Sequence, residues 1–255
     1  MAKRLAALAV LLFLPAAAQQ PPGGYVVSVP EGLSLPGFVQ DALAETYRRI
    51  GLGVSFRTLP SARSIDMANA GETDAEAART EYIAHDFPNL VRIPEPFLTV
   101  AYSALSLGPP PAGSSWPDLR DHSVCVVLGN KMIERRTQDM NPKYAHTVEA
   151  GLRMLMAGRC EVLVASQFVW LIIDRLRLGR FCQGPPIEEF TLYHYVNRRH
   201  QDLVPRLTAT MQEMNRDGTI QRLLAASVAP IEDARKRHDC TLTGADRPSR
   251  TVPPR

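Results

Sequence analysis

The chain of 255 residues lacks most of the motifs that would announce an enzyme. No Gly-x-Ser-x-Gly elbow occurs, which removes the usual frame of a serine hydrolase. No GxxxxGK[ST] loop is present to cradle a nucleotide phosphate. There are only 4 cysteines, none in a CxxC or Cys/His pair at zinc spacing, and His122, His194, His200 and His238 are scattered along the chain. Cys125 sits inside an apolar run and reads as inert. Glu188-Glu189 follows Pro185-Pro186 and reads as a solvated approach to a strand, not an acid/base couple. Neither a metal nor a cofactor is expected, and no catalytic constellation emerges.

Net charge is lacking as well, once its distribution is considered. Lys3 and Arg4 lie at the N-terminus, and residues 231–255 carry six basic and four acidic side chains. Removing these from totals of 29 and 26 leaves 21 basic against 22 acidic, so the body is neutral. A nucleic-acid partner, which needs a concentrated basic face, is not expected. Long apolar runs are absent beyond the N-terminus. The ten residues from Leu5 to Leu14 fall short of the roughly 20 needed to span a bilayer as a helix.

What is present begins with that short run. Met1-Ala2-Lys3-Arg4 precedes it, Pro15 breaks it, and Ala16-Ala17-Ala18 follows, the pattern of a secretory signal cleaved after Ala18. The mature chain is therefore expected in the periplasm, where disulfides form. Cys160 and Cys182 flank a strand–helix unit and could pair. Alternatively Cys125 and Cys160 are small buried hydrophobes and Cys240 lies loose in a tail.

About 210 residues remain between the signal and the tail, enough for one large domain or two small lobes. Tyr25–Pro30 reads as a buried strand. Phe38, Val39, Ala42, Leu43, Tyr47 and Ile50 recur at helical spacing and stop at Gly51. Val54–Arg57 gives a second strand, and Ser61 is placed to cap a helix ending near Gly71. This βαβα opening implies a parallel sheet. A long extended segment, Phe97–Leu107, leads to the Pro109-Pro110-Pro111 linker. A second α/β unit follows, with strands Val124–Leu128 and Glu161–Ala165, helices opened by Gly129-Asn130 and by Ser166, and a return strand Phe190–Val196. Helices Asp202–Arg216 and Thr219–Val228 come last, and the chain from Pro230 reads as disordered. The expected parts are a signal (1–18), lobe 1 (19–102 and 193–230), lobe 2 (103–192) and a tail (231–255). Two extended crossovers would make a hinge, with a ligand cleft between the lobes.

The segments Leu59-Pro60-Ser61-Ala62-Arg63, Gly71–Arg79, Pro88–Pro96, Gly151–Arg159 and Tyr193–Val204, in this order, resemble bacterial family 3 extracellular solute-binding proteins. The resemblance runs to about residue 226 and implies an α/β, type II periplasmic-binding fold. It also implies a monomer that captures a small polar or anionic solute for an ABC-type membrane permease. A ligand-sensing or accessory module acting on a membrane partner is the alternative role. In amino-acid-binding members an Arg of the first lobe holds the ligand carboxylate. Arg79 matches it, although it could instead be a surface residue paired with Glu76 or Glu81. Those members usually place an Asp after the second-lobe strand to take the ligand ammonium. Here that position is Ser166, followed by Gln167, and Ser166 also reads as the cap of the helix that follows. Ligands of open α/β sheets sit beyond the carboxyl ends of the strands, which adds Glu31, Arg63, Gly129 and Asn130 as candidates. Tyr102, on the hinge segment, could stack on a ligand or pack between lobes.

Overall fold

The structure is a computed structural model that describes residues 24–33, 37–111, 113 and 115–240. The signal segment and the last part of the tail lie outside the described residues.

The first half is laid down by β1 (Tyr25–Pro30), α1 (Phe38–Arg49), β2 (Val54–Leu59), α2 (Ser61–Ala70), β3 (Ala75–Arg79) and β4 (Leu90–Arg92). Strand β1 carries three valines and is buried except at Val26, as a central parallel strand covered on both faces should be. It pairs in parallel with β2 on one side and β3 on the other. Helix α1 buries Phe38, Val39, Ala42, Leu43, Thr46 and Tyr47, one stripe at helical spacing. Gly51, at φ 73°, ends it in the left-handed conformation that the sequence assigns to it. Ser61 is not the cap of α2. Pro60 holds that position with extended backbone, and Ser61 enters the first turn.

The second half comprises β5 (Leu98–Ser106), β6 (Val124–Val127), α3 (Lys131–Thr137), β7 (Lys143–Ala145), α4 (Val148–Met156), β8 (Val162–Ser166) and α5 (Val169–Leu176). Strands β6, β7 and β8 are parallel, and β5 runs antiparallel to β8. Ser166 closes β8 instead of capping α5, whose N-cap is Phe168.

Strand β9 (Cys182–Asn197) joins the halves and is far longer than the return strand expected from the sequence. Its residues as far as Leu192 pair with β5, and from Tyr193 onward it pairs with β3 and β4. The sheet therefore runs in the order β2-β1-β3-β9-β5-β8-β6-β7. Strand β5 pairs with β9 from Leu98, which lies opposite Leu192. Two helices complete the fold, α6 (Val204–Arg216) and α7 (Thr219–His238). The residues ahead of α6 form a 3-10 turn, Arg198–Leu203, so the α-helix starts after Asp202.

The cysteines pair as Cys125–Cys160 and Cys182–Cys240, which corrects the expected Cys160–Cys182 bridge. Parallel pairing of β6 with β8 sets Cys125 opposite Leu163, and it brings the Cα of Cys160 within 5.7 Å. Cys240 is not loose, since α7 continues through Pro230 to His238 and carries it to Cys182. Tail character thus does not begin at residue 231. Ile231 and Ala234 are buried in the main core.

Candidate functional site

In each lobe the parallel strands point their carboxyl ends at the other lobe, the usual site of a ligand crevice in open α/β sheets. From lobe 1 the crevice receives Pro30 at the end of β1, Gly32 after it, Ser61 from α2, and Ala78, Arg79 and Thr80 at the end of β3. Lobe 2 supplies Gly129, Asn130 and Lys131 after β6, Val148 from α4, and Ala165 and Ser166 at the end of β8. Tyr102 from β5 and Phe190 and Leu192 from β9 form the floor. The enclosed space, including its opening to solvent, measures about 830 Å³. Most of its walls are aliphatic or aromatic, with Ile83, Val127, Val164, Val169 and Ile172 completing them.

Arg79 is the central polar group, and its position follows from a flaw in the sheet. Between Glu76 and Arg79 the pairing with β9 slips, so that three residues of β3 oppose two of the partner. In a regular strand residues three apart point to opposite faces, and such a slip restores both to one face. The Arg79 Nε–H accordingly donates to Glu76 at 2.6 Å. Nη2 donates to the Ser61 carbonyl at 2.6 Å, and Nη1 donates to Ser61 Oγ at 2.8 Å and to the Gly129 carbonyl at 3.1 Å. The last of these crosses the crevice. Arg79 is therefore a buried residue paired with Glu76, not a surface residue, and it also lines the crevice.

Glu76 is fully buried and accepts from Ser28 Oγ and Ser64 Oγ, both at 2.7 Å, besides Arg79. A buried carboxylate needs this full complement of donors and a countercharge. Lys131, the other cation of the lining, pairs with Glu134 at 3.0 Å. Both positive charges thus carry a carboxylate partner, and among the described residues no acidic side chain lines the crevice.

Tyr102 and Ser166 are cross-strand partners, so the antiparallel register brings these two sequence candidates together. The Tyr102 hydroxyl accepts from Asn130 Nδ2 at 2.8 Å, and its ring meets Phe190 edge-on at 5.6 Å. Burial pushes the Tyr102 phenol up, against the opposing effects of Asn130 and Arg79. Gly129, at φ 91°, abuts the first turn of α2 so closely that a Cβ would overlap the Ala62 backbone. The lobes are therefore in contact, and Arg135 adds an ion pair to Asp86 at 2.8 Å.

Three sequence candidates fall outside the lining. Arg63 is exposed on α2. Gln167 turns its Oε1 to the Ala101 N–H at 2.9 Å and fastens β8 to β5. Glu31 lies between two lining residues in the 3-10 turn Glu31–Leu33 without lining the crevice itself. The aliphatic wall was missed from the sequence because Val148, Val169 and Ile172 read only as helix-core positions. Lys131 belongs to the same strand end as Gly129 and Asn130 and is legible in the same way.

The fold and crevice define a class: the chain has the two-lobed periplasmic-binding-protein fold. No family model matches the sequence. A histidine kinase sensor domain with similarity to periplasmic binding proteins superposes with a TM-score of 0.71 at 19% identity, covering 80% of this chain and 95% of that one. An ancestral arginine-binding protein bound to glutamine gives 0.68 at 16% identity, covering 81% and 98%. A solute receptor for L-cysteine of Neisseria gonorrhoeae gives 0.65 at 15% identity, covering 82% and 91%. In sequence, an uncharacterized protein of Shewanella oneidensis is 22% identical over 194 residues, 72% of this chain and 74% of its own length. At the level of the fold, these structures bear out the resemblance to family 3 solute-binding proteins.

Proposed function

We propose that the protein is a periplasmic solute-binding protein whose crevice takes a small molecule with one carboxylate and an apolar body, for delivery to a membrane permease. The observation that carries this reading is the lining itself. It offers Arg79 amid aliphatic walls, with Ser166 and, among the described residues, no acidic side chain where an ammonium would need one. Four of the five guanidinium N–H groups are engaged within the protein. Parting the lobes releases the Nη1–H from the Gly129 carbonyl. One N–H on each Nη then becomes free for a bidentate grip on a carboxylate, which a lysine cannot reproduce. An ordinary α-amino acid would bury its ammonium unpaired and is disfavoured.

The N-terminal segment, the two disulfides and the neutral body support an exported role, since disulfides persist in oxidising compartments. Among the described residues the crevice offers no nucleophile beside a base, which supports binding as the reading. The test is calorimetric titration with straight-chain and branched monocarboxylates, matching zwitterionic amino acids and dicarboxylates. Monocarboxylates should bind best, and Arg79→Ala should weaken them at least tenfold. Preference for zwitterions, or indifference to Arg79→Ala, would overturn the ligand class.

A second role is favoured by one observation, the superposition on a histidine kinase sensor domain. In that case the same crevice would report occupancy to a membrane partner. Co-purification of a sensor protein rather than a permease would select it.

A further inference from the structure

We infer that the C-terminal helix is a third connection between the lobes, a disulfide-fastened strap that limits how far the crevice opens. The inference does not depend on which solute the crevice takes.

The start of α7 belongs to lobe 1. Arg49 of α1 donates to Thr219 Oγ1 at 3.0 Å and pairs with Asp217, just ahead of the helix, at 2.7 Å. The end of α7 belongs to lobe 2. Arg237 and His238 reach Asp174 of α5 at 2.9 and 3.0 Å. His238 also meets the Gly179 carbonyl at 2.7 Å. The backbone then runs beside lobe 2, with Phe181 N–H donating to the His238 carbonyl at 2.9 Å and Cys240 N–H to the Phe181 carbonyl at 2.7 Å. Cys182–Cys240 locks the junction covalently.

The anchor sits far from the hinge. Cys182 pairs with Ser106 at the distal end of β5, whereas β9 passes to lobe 1 between Leu192 and Tyr193. Ten residues of strand separate them, roughly 30 Å at about 3.3 Å per residue. The 20-residue helix α7 spans a similar length, ~30 Å at about 1.5 Å per residue. The bridge closes a ring with a sequence separation of 58, which leaves lobe 2 along β9 and returns along α7. Lobe rotation about the β9 crossing must therefore bend α7 or pull it off one lobe.

The helix carries its own bending point. Pro230 lies inside α7, supplies no N–H to the carbonyl four residues earlier, and is exposed. It falls between the part held by α1 and the part held by α5. A strap with one articulation permits a limited swing and resists a wide one.

The experiment measures lobe separation without a ligand. Nitroxides are attached through a keto amino acid incorporated at Asp66 on α2 and Met156 on α4, both exposed, and their distance distribution is read by pulsed electron resonance. The intact protein should give a narrow distribution. Cys182→Ser/Cys240→Ser should add a longer-distance component, whereas Cys125→Ser/Cys160→Ser, which removes a bridge internal to lobe 2, should not. An unchanged distribution in the first variant overturns the strap, and so does equal broadening in both. If the first variant does not fold by circular dichroism, a Gly-Ser-Gly-Ser insertion between Pro230 and Ile231 decides the matter. With the disulfide kept and the strap slackened, the longer component must appear, and its absence refutes the inference.

Discussion

Acidification should destabilise this protein well before its carboxylates titrate, and a single buried imidazole accounts for most of the loss. His194 on β9 is fully buried. Its Nδ1 lies 2.9 Å from the Glu76 carbonyl and 3.1 Å from the Ala77 carbonyl, so that nitrogen carries the proton. Nε2, 3.1 Å from the Tyr47 hydroxyl, is then the acceptor. Burial opposes a second proton and lowers the pKa from 6.5 to about 4, against the raising effect of the two carbonyls. The unfolded chain therefore binds more protons than the native one between these values, and stability falls as pH falls through that window. At about 1.4 kcal/mol per pH unit the full effect is roughly 3 kcal/mol, of which about 2.5 is lost between pH 7 and pH 4.5. Asp74 titrates lower. Burial alone would raise its carboxyl, but the Val26 N–H, His200 and Arg199 hold it below its ordinary 3.8, so its contribution is lost only as pH falls beneath the imidazole's window. Urea unfolding followed by circular dichroism at pH 7 and pH 4.5 measures the drop. His194→Gln should be less stable at pH 7 yet lose much less on acidification. The same loss in both proteins would refute the assignment to His194.

The Glu76–Arg79 pair gives a second test. Arg79→Ala strands a fully buried carboxylate and should cost about 3–5 kcal/mol, whereas Arg79→Met/Glu76→Leu should recover most of it. Denaturation midpoints that are equal for the two variants would count against that network. Gly129→Ala should cost ~1–2 kcal/mol for a left-handed alanine and also part the lobes, because its Cβ meets the Ala62 backbone. X-ray scattering should then show a larger radius of gyration, and an unchanged profile would mean the lobes do not touch there. Removing Cys125–Cys160, with a sequence separation of 35, should lower stability by about 3–4 kcal/mol on chain-entropy grounds, and a loss below 1 would contradict that estimate.

Local pattern determined a good deal. The βαβα opening, the stripe of α1 and the stop at Gly51 follow from apolar spacing and from one residue that tolerates positive φ, and both act over a few residues. Gly129, Asn130 and Ser166 are legible because strand ends are visible in sequence and ligand crevices form beyond them, whereas Arg79 rests on the family resemblance and Tyr102 on its place in the hinge segment. Other features depended on partners distant in the chain. The pairing of Cys125 with Cys160 follows from which strands are neighbours, a fact that spacing does not carry. The slip between Glu76 and Arg79 exists only against β9, and it turns an apparent surface ion pair into a buried one facing the crevice. The run after Pro230 looked disordered because its apolar content is thin. It is helical because Ile231 and Ala234 find the core and Cys240 finds Cys182, and packing can hold a helix that its own sequence would not.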